Sequence, residues 1–203
     1  MKIICLSSGI DSVGLLFHCL SKGEEVVALN ICVSLRNNNT GALRPWMINH
    51  SIQRALCEEL CDKISIKLMK IDLYLEDIQL SSQTPVHQRF IFGSICNIIA
   101  LYNPEIEAFY FGATLNDQIN DTHIEDFIVD VSKICNSGVR IELPIRNFNK
   151  QEAFNLIPKE YLNLLSTCWY STNKSSNRCL KCLKCLQYAK DLTKESIELI
   201  DSR

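Results

Sequence analysis

The sequence predicts an α/β fold, a doubly wound parallel sheet followed by a small C-terminal metal-binding module. Short apolar or β-branched runs recur along the chain, and helical patterns separate them. Strands that alternate with helices form βαβ units, whose right-handed crossovers make the strands parallel. Four cysteines close together near residue 180 predict the appended module.

The elements follow in order along the chain. Apolar runs predict strands at 2–6, 25–32, 64–71, 108–111 and 139–141. Apolar residues at helical spacing predict helices at 13–20, 52–60, 90–101 and 124–134, and 183–200 is typical of a closing helix. We therefore expect an α/β domain at 1–150 and a C-terminal segment at 151–203. Two polar breaks, 34–45 and 81–85, are candidate substrate loops.

A polar turn, Ser7-Ser8-Gly9-Ile10-Asp11-Ser12, joins the first predicted strand to the first helix. Backbone N–H groups at the start of a helix have no partner and lie at its positive end, so they can bind a phosphate. Gly9 lets backbone approach that phosphate closely, and the serines add hydroxyl donors. The alternative is an ordinary turn in which Asp11 and Ser12 cap the helix.

Composition limits the classes of function. The chain has 203 residues, 47% of them hydrophobic, and a net charge of −2, which suits one full core and offers no broad attraction to nucleic acid. The apolar stretch at 90–102 is too short to span a membrane. The chain enters a strand at once, without a signal-peptide pattern, which predicts a cytoplasmic protein.

The 11 cysteines are unusual, and in the cytoplasm they should be reduced or metal-bound. Cys57 and Cys61 are interpreted as packing residues, because two ligands do not close a metal site. The singly placed cysteines are predicted to lie in the core, as small apolar side chains. These are Cys5, Cys19, Cys32, Cys96 and Cys135.

A different pattern, Cys168-x10-Cys179-x2-Cys182-x2-Cys185, supplies the four thiolates that a closed tetrahedral zinc site requires. A [4Fe-4S] cluster also takes cysteine ligands and stays an alternative. With four protein ligands such a site has no place for a substrate. We therefore expect a structural zinc.

The turn resembles S-G-G-x-D-S, the signature of the PP-loop ATP pyrophosphatases. Thr167-Cys168-Trp169-Tyr170 with the later C-x2-C-x2-C run narrows the resemblance to the 7-cyano-7-deazaguanine synthase family within them. Further likeness lies in Phe111-Gly112-Ala113 followed by Asp117 and Asp121, and in Ile141-Glu142-Leu143-Pro144-Ile145 followed by Lys150. The similarity spans nearly the whole chain.

The resemblance implies an adenine-nucleotide α-hydrolase-like sheet, a structural zinc, and an ATP- and magnesium-dependent ligase. That ligase adenylates 7-carboxy-7-deazaguanine, converts it with ammonia to the amide, and dehydrates the amide to the nitrile. Ser7, Ser8, Gly9, Ile10, Asp11 and Ser12 would bind ATP, with Asp11 and Ser12 as catalytic residues. Asp117 or Asp121 could help hold Mg²⁺. Arg89 could pair with a carboxylate or phosphate, or could lie on a helix surface.

The chain departs from the family at several positions. Ser8 stands where the family has its first glycine, Asn30 to Arg36 lack the family's F-D-Y-G-Q-like stretch, and Val86 and Arg89 alone match its V-P-G-R-N element. Two alternatives follow: a paralogue that joins a deazaguanine-type carboxylate to an amine on a protein or other macromolecule, and an inactive nucleotide-binding module. No membrane or nucleic-acid partner is expected, and many of the family's members form homodimers.

Overall fold

The computed structural model describes residues 1–35, 48–75, 85–115, 139–166, 168, 180 and 182–201. Within these ranges, only the backbone is described for 33–35, 48–50, 74–75, 85–92 and 183. The described residues form one five-stranded sheet in which every pairing is parallel. Its strands are β1 (Lys2–Cys5), β2 (Val26–Leu35), β3 (Leu68–Leu75), β4 (Ala108–Phe111) and β5 (Arg140–Glu142).

The strand order is β3-β2-β1-β4-β5. The chain therefore builds outward from β1 in one direction and then returns to add β4 on its other side. In register, Ile4 pairs with Ala28 on β2 and with Tyr110 on β4. The order reverses between β1 and β4, and in open parallel sheets ligands bind beyond the strand carboxyl ends at such a reversal.

The helices lie between and after the strands. A 3-10 helix, Lys159–Leu164, lies among the last of them. The α-helices are α1 (Ile10–Ser21), α2 (Ile48–Lys63), α3 (Pro85–Tyr102), α4 (Lys150–Asn155), α5 (Leu183–Asp191) and α6 (Lys194–Asp201). None of the helices in the described part of the chain combines the length and hydropathy that crossing a membrane requires.

Two apolar cores cover the two faces of the sheet, because successive strand residues point to opposite sides. Ile4 faces the larger core, which contains residues of α1, α2, α4, α5 and α6. Its neighbour Ile3 faces the smaller core, where Ile95, Cys96 and Ile99 of α3 pack. Helices on both faces of a parallel sheet confirm the predicted doubly wound α/β fold.

Several predicted bounds differ from the structure, and two differences have a clear local cause. The strand predicted at 64–71 begins at Leu68, because α2 continues to Lys63 and Ile66 then donates its N–H to the Cys61 carbonyl, closing the helix end with Ser65 at φ 56°. The closing helix predicted at 183–200 is two helices, α5 and α6. Thr193 separates them: its Oγ1 accepts from the Ser196 N–H at 3.3 Å.

The short helix α4 was not predicted from the sequence. Its start carries a capping box, in which the Asn149 side chain accepts from the Glu152 N–H and the Glu152 carboxylate accepts from the Asn149 N–H. The helix predicted at 124–134 lies outside the described residues, and so does Cys135. Of the other cysteines predicted to pack in the core, Cys19, Cys32, Cys57, Cys61 and Cys96 are buried, and Cys5 is half-buried.

Candidate functional site

The turn between β1 and α1, residues 7–12, forms the centre of the site and is called the phosphate loop below. The Ser12 hydroxyl holds it closed: Oγ accepts from the Ser7 N–H at 3.1 Å and donates to the Gly9 carbonyl at 3.1 Å. The Ser7 hydroxyl oxygen lies 3.2 Å from the Ser12 hydroxyl oxygen. Gly9 is the N-cap of α1 and has no side chain with which to cap the helix. Asp11 and Ser12 lie in the first turn of α1, and neither is its N-cap residue.

Ser8 has an unusual backbone conformation. Its φ is 53°, in the left-handed region that favours glycine. The residue is fully buried, and its hydroxyl has no hydrogen-bond partner among the described residues. The hydroxyl lies beside the buried Cys57 thiol, whose pKa burial raises and the hydroxyl acts to lower, and its hydrogen is open to a ligand oxygen that reaches the loop.

Because Gly9 has no side chain, there is space beside its backbone at the start of α1, which is called the cradle below. A Cβ at this position would lie 3.5 Å from the Ser7 hydroxyl and 3.6 Å from the Lys184 ammonium. The space beside the Gly9 backbone is thus bordered by a hydroxyl and a positive charge, and the uncapped N–H groups of α1 lie next to it. These groups suit an anion such as a phosphate.

Gly112, at the end of β4, contacts the back of the same loop. A Cβ there would lie 2.6 Å from the Asp11 carbonyl oxygen and 2.7 Å from the Ser12 nitrogen. No side chain fits, since both neighbours are backbone atoms. The glycine of the Phe111-Gly112-Ala113 motif therefore lets β4 reach the phosphate loop.

Asp11 makes an ion pair with Lys150 of α4. The Lys150 Nζ lies 2.6 Å from each Asp11 carboxylate oxygen, and its side chain is 1% exposed. Close packing of α4 on α1 brings the pair together. Gly14 permits this packing, because a Cβ there would lie 2.5 Å from the Ala153 carbonyl oxygen.

Lys184, in the first turn of α5, approaches the loop from the C-terminal side. Its Nζ donates to the Ser166 carbonyl at 2.9 Å, and the Ser166 N–H donates to the Ser8 carbonyl at 2.7 Å. Burial lowers the pKa of Lys184; the Asp11 carboxylate opposes this shift, and the Lys150 charge adds to it. The C-terminal segment is thus hydrogen-bonded directly to the phosphate loop.

Three of the four predicted metal ligands lie together: Cys168, Cys182 and Cys185 are buried, with their sulfur atoms within 4.8 Å of one another. The Cys182 sulfur is 3.9 Å from that of Cys168 and 3.3 Å from that of Cys185. Four sulfurs bound to one zinc ion lie about 3.8 Å apart, from Zn–S bonds of about 2.3 Å. The cluster therefore has the dimensions of a thiolate metal site.

The thiol cluster also carries a local hydrogen bond typical of a bound thiolate. Cys182 caps α5, and its sulfur accepts from the Cys185 N–H at 3.4 Å. Burial raises the pKa of the Cys185 thiol, as does the neighbouring Cys182 sulfur. A metal ion would supply the charge that favours the deprotonated form of the Cys185 thiol.

A mainly apolar cavity opens beside the phosphate loop, at the carboxyl ends of β1 and β4 and beside the middle of β2. Its polar side is the loop itself, with Asp11 among the polar groups, so its lining offers apolar contacts next to polar ones. The lining residues are Cys5, Leu6, Ser7, Asp11, Ser12, Leu29, Ile31, Phe111 and Gly112.

The other predicted site residues are less fully placed. Asp117, Asp121 and Cys179 lie outside the described residues. Arg89 belongs to α3, but its side chain is outside the described part of the chain. Lys150 was matched to a motif of the family in the sequence but was given no role. Lys184 was not predicted as a site residue, although its position between two predicted metal ligands was a signal for one.

No protein-family model and no curated protein matches this chain. Among solved structures, it is similar to a predicted subunit of a tRNA methyltransferase from Methanocaldococcus jannaschii, at 15% sequence identity and a TM-score of 0.45. That similarity covers 77% of this chain and 73% of the other.

Proposed function

We propose that this chain is a PP-loop ATP-dependent ligase that adenylates a carboxylate and releases pyrophosphate. The observation that carries the proposal is the phosphate loop: α1 begins at a glycine, and the space beside that glycine is bordered by the Ser7 hydroxyl and the Lys184 ammonium. These groups bind phosphate oxygens and neutralise charge as pyrophosphate leaves, which is what adenylation needs from a protein.

In the reaction, a substrate carboxylate oxygen attacks the α-phosphorus of ATP, and the bond from that phosphorus to the β-bridging oxygen breaks. The backbone N–H groups of the loop and the Ser7, Ser8 and Ser12 hydroxyls would orient the phosphates. Lys150 would hold the Asp11 carboxylate in place. No nucleophile of the protein is required.

The substrate is proposed to be 7-carboxy-7-deazaguanine, with ammonia as the nitrogen source and the amide and nitrile as products. The support is the resemblance in the sequence, together with a cavity that has apolar walls next to the anion cradle. Asp117 or Asp121 would contribute carboxylate oxygens to Mg²⁺. Cys168, Cys179, Cys182 and Cys185 would hold zinc, which supplies folding energy rather than chemistry.

Pyrophosphate release tests the proposal. The wild-type protein is mixed with MgATP and 7-carboxy-7-deazaguanine, with and without ammonia, and the products are identified by mass spectrometry. We expect acid-dependent pyrophosphate, and the amide and nitrile when ammonia is present. Pyrophosphate release with the acid and an amine-bearing protein, but no reaction with ammonia, would favour the paralogue. ATP binding without turnover with any such acid would favour the binding module.

A Gly9→Ala variant links the activity to the loop. Its backbone conformation, with φ −78°, accepts alanine, and the new Cβ meets only ordinary contacts in the free protein. We therefore expect unchanged folding and metal content but much weaker ATP binding, because the methyl group occupies the cradle. Undiminished ATP binding by this variant would move the nucleotide site away from the loop.

A further inference from the structure

Lys184 is placed where a ligand of the phosphate loop would meet it. It lies between the two cluster cysteines Cys182 and Cys185, yet its ammonium extends to the loop. The Nζ atom is 3.6 Å from the position of a Cβ at Gly9, on the side of the cradle that also holds the Ser7 hydroxyl.

The lysine side chain is fixed at several points. Its Nζ donates to the Ser166 carbonyl at 2.9 Å and lies 5.9 Å from the centre of the Tyr188 ring. Ser166 is itself bonded to the Ser8 carbonyl at 2.7 Å. The ammonium is therefore held at the loop by the same segment that carries Cys168, and little side-chain entropy remains to be lost on binding a ligand.

The charges near the loop favour an anion at this point. The Lys150 ammonium faces the Asp11 carboxylate at 2.6 Å, so these two charges offset each other. Lys184 adds a second positive charge next to the uncapped start of α1. An ammonium has three N–H donors, and the Ser166 carbonyl takes one of them.

We infer that Lys184 is a phosphate-binding residue, which contacts the β- and γ-phosphate oxygens of the nucleotide and therefore the pyrophosphate that leaves. The inference rests on the proposed function, because it takes the phosphate loop as the nucleotide site. The segment that carries the thiols would then have two roles: it would hold the metal, and it would place the Lys184 ammonium at the phosphates.

Isothermal titration calorimetry with inorganic pyrophosphate and Mg²⁺ tests this assignment on the metal-loaded full chain. Lys184→Met should weaken pyrophosphate binding by about 10- to 100-fold, the usual range for losing a hydrogen bond to a charged group. Lys190→Met is the matched control, since Lys190 lies on the same helix but is exposed. It should bind as the wild type does. Lys184→Arg should recover part of the affinity, whereas metal content should be the same in all four proteins.

Equal pyrophosphate affinity in the wild type and Lys184→Met would overturn the inference and leave the proposed function standing. Failure of the wild type to bind either pyrophosphate or ATP would instead reject the proposed function. If Lys184→Met loses metal, Lys184→Gln replaces it, because glutamine keeps a donor for the Ser166 carbonyl without the charge. Wild-type affinity in a metal-loaded Lys184→Gln protein would likewise overturn the inference.

Discussion

Ser8 combines two unfavourable features that a protein selected for stability alone would avoid. A left-handed backbone costs an L-residue roughly 1–2 kcal/mol relative to the right-handed form, and a buried hydroxyl without a partner costs more. Both costs disappear with glycine, the residue that the PP-loop signature has at this position. Retention of serine here is consistent with a hydroxyl that donates to a ligand oxygen.

Two substitutions at this residue separate backbone strain from the hydroxyl. Ser8→Gly relieves the strain and Ser8→Ala keeps it, and both remove the hydroxyl. We expect Ser8→Gly to exceed Ser8→Ala in unfolding free energy by about 1 kcal/mol, measured by urea denaturation. Both should bind ATP more weakly than the wild type. Wild-type ATP affinity in both variants would show that the hydroxyl is not a donor.

The Asp11–Lys150 pair predicts a large effect at a single residue. Asp11→Asn removes the carboxylate charge that the 1% exposed Lys150 ammonium contacts, which should lower the unfolding free energy by about 3 kcal/mol. Adding Lys150→Met should recover much of that loss. The control is Glu58→Gln, which breaks an exposed pair with Lys70 and should cost under about 1 kcal/mol. Similar losses in both single variants, seen in urea denaturation, would contradict the prediction.

The same pair shows what sequence reasoning can and cannot reach at this scale. The order Ser, Ser, Gly, Asp and Ser after an apolar run predicted the turn between β1 and α1, because the signal is local. The partner of Asp11 lies 139 residues away, and nothing in its spacing reveals the contact. Lys184 is a similar case: a lysine between two metal ligands reads as a solvated charge until the fold brings it to Gly9.

Whole elements were predicted where periodicity was clear, and boundaries failed where a cap or turn overrode it. The strand β4 matches its predicted bounds of 108–111. Ile64 and Ile66 have the apolar, β-branched side chains typical of a strand, but they lie in the connection after α2. The capping signal of Asn149 and Glu152 was present in the sequence and would have found α4. The break at Thr193 combines a local cap, in which its Oγ1 accepts from the Ser196 N–H, with a tertiary contact, in which its N–H donates to the Gln151 side chain.

For the metal-binding segment, the fourth ligand is the point to test. Cys179→Ser should reduce the metal content from about one zinc ion per chain to far below it, because three thiolates leave the tetrahedral shell open. Cys32→Ser is the control: this buried thiol donates to the Asn30 side chain, which serine can also do, so zinc content should not change. Elemental analysis of the purified proteins measures the outcome. A fully loaded Cys179→Ser protein would mean that another group completes the site.

At the scale of the whole molecule, buried thiols should make stability depend on alkaline pH. Burial raises the pKa of Cys19 and of Cys61 to about 11, from an ordinary value of 9.0. Between these values the unfolded chain releases protons that the folded chain keeps, so raising the pH favours unfolding. We expect the unfolding free energy, measured in urea with a reductant, to fall from pH 9 to pH 11.

Cys61→Ala provides the comparison. Lysine and tyrosine side chains titrate alike in both proteins, so any difference in the slope with pH belongs to the thiol. The variant should be less stable at pH 8 because it loses packing, yet its stability should fall less steeply above pH 9. Parallel curves for the two proteins would rule out Cys61 as a source of the dependence.

The link from Ser166 to Ser8 and from Lys150 to Asp11 also affects the order in which the molecule can mature during synthesis. The residues of the phosphate loop leave the ribosome first, but Lys150 is made 139 residues later. At about 5–20 residues per second, the loop waits roughly 7–28 s for Lys150, and longer for Ser166 and Lys184. A nascent chain therefore carries the loop residues long before their later partners exist, and the proposed nucleotide site should be complete only after the segment with the thiols has emerged.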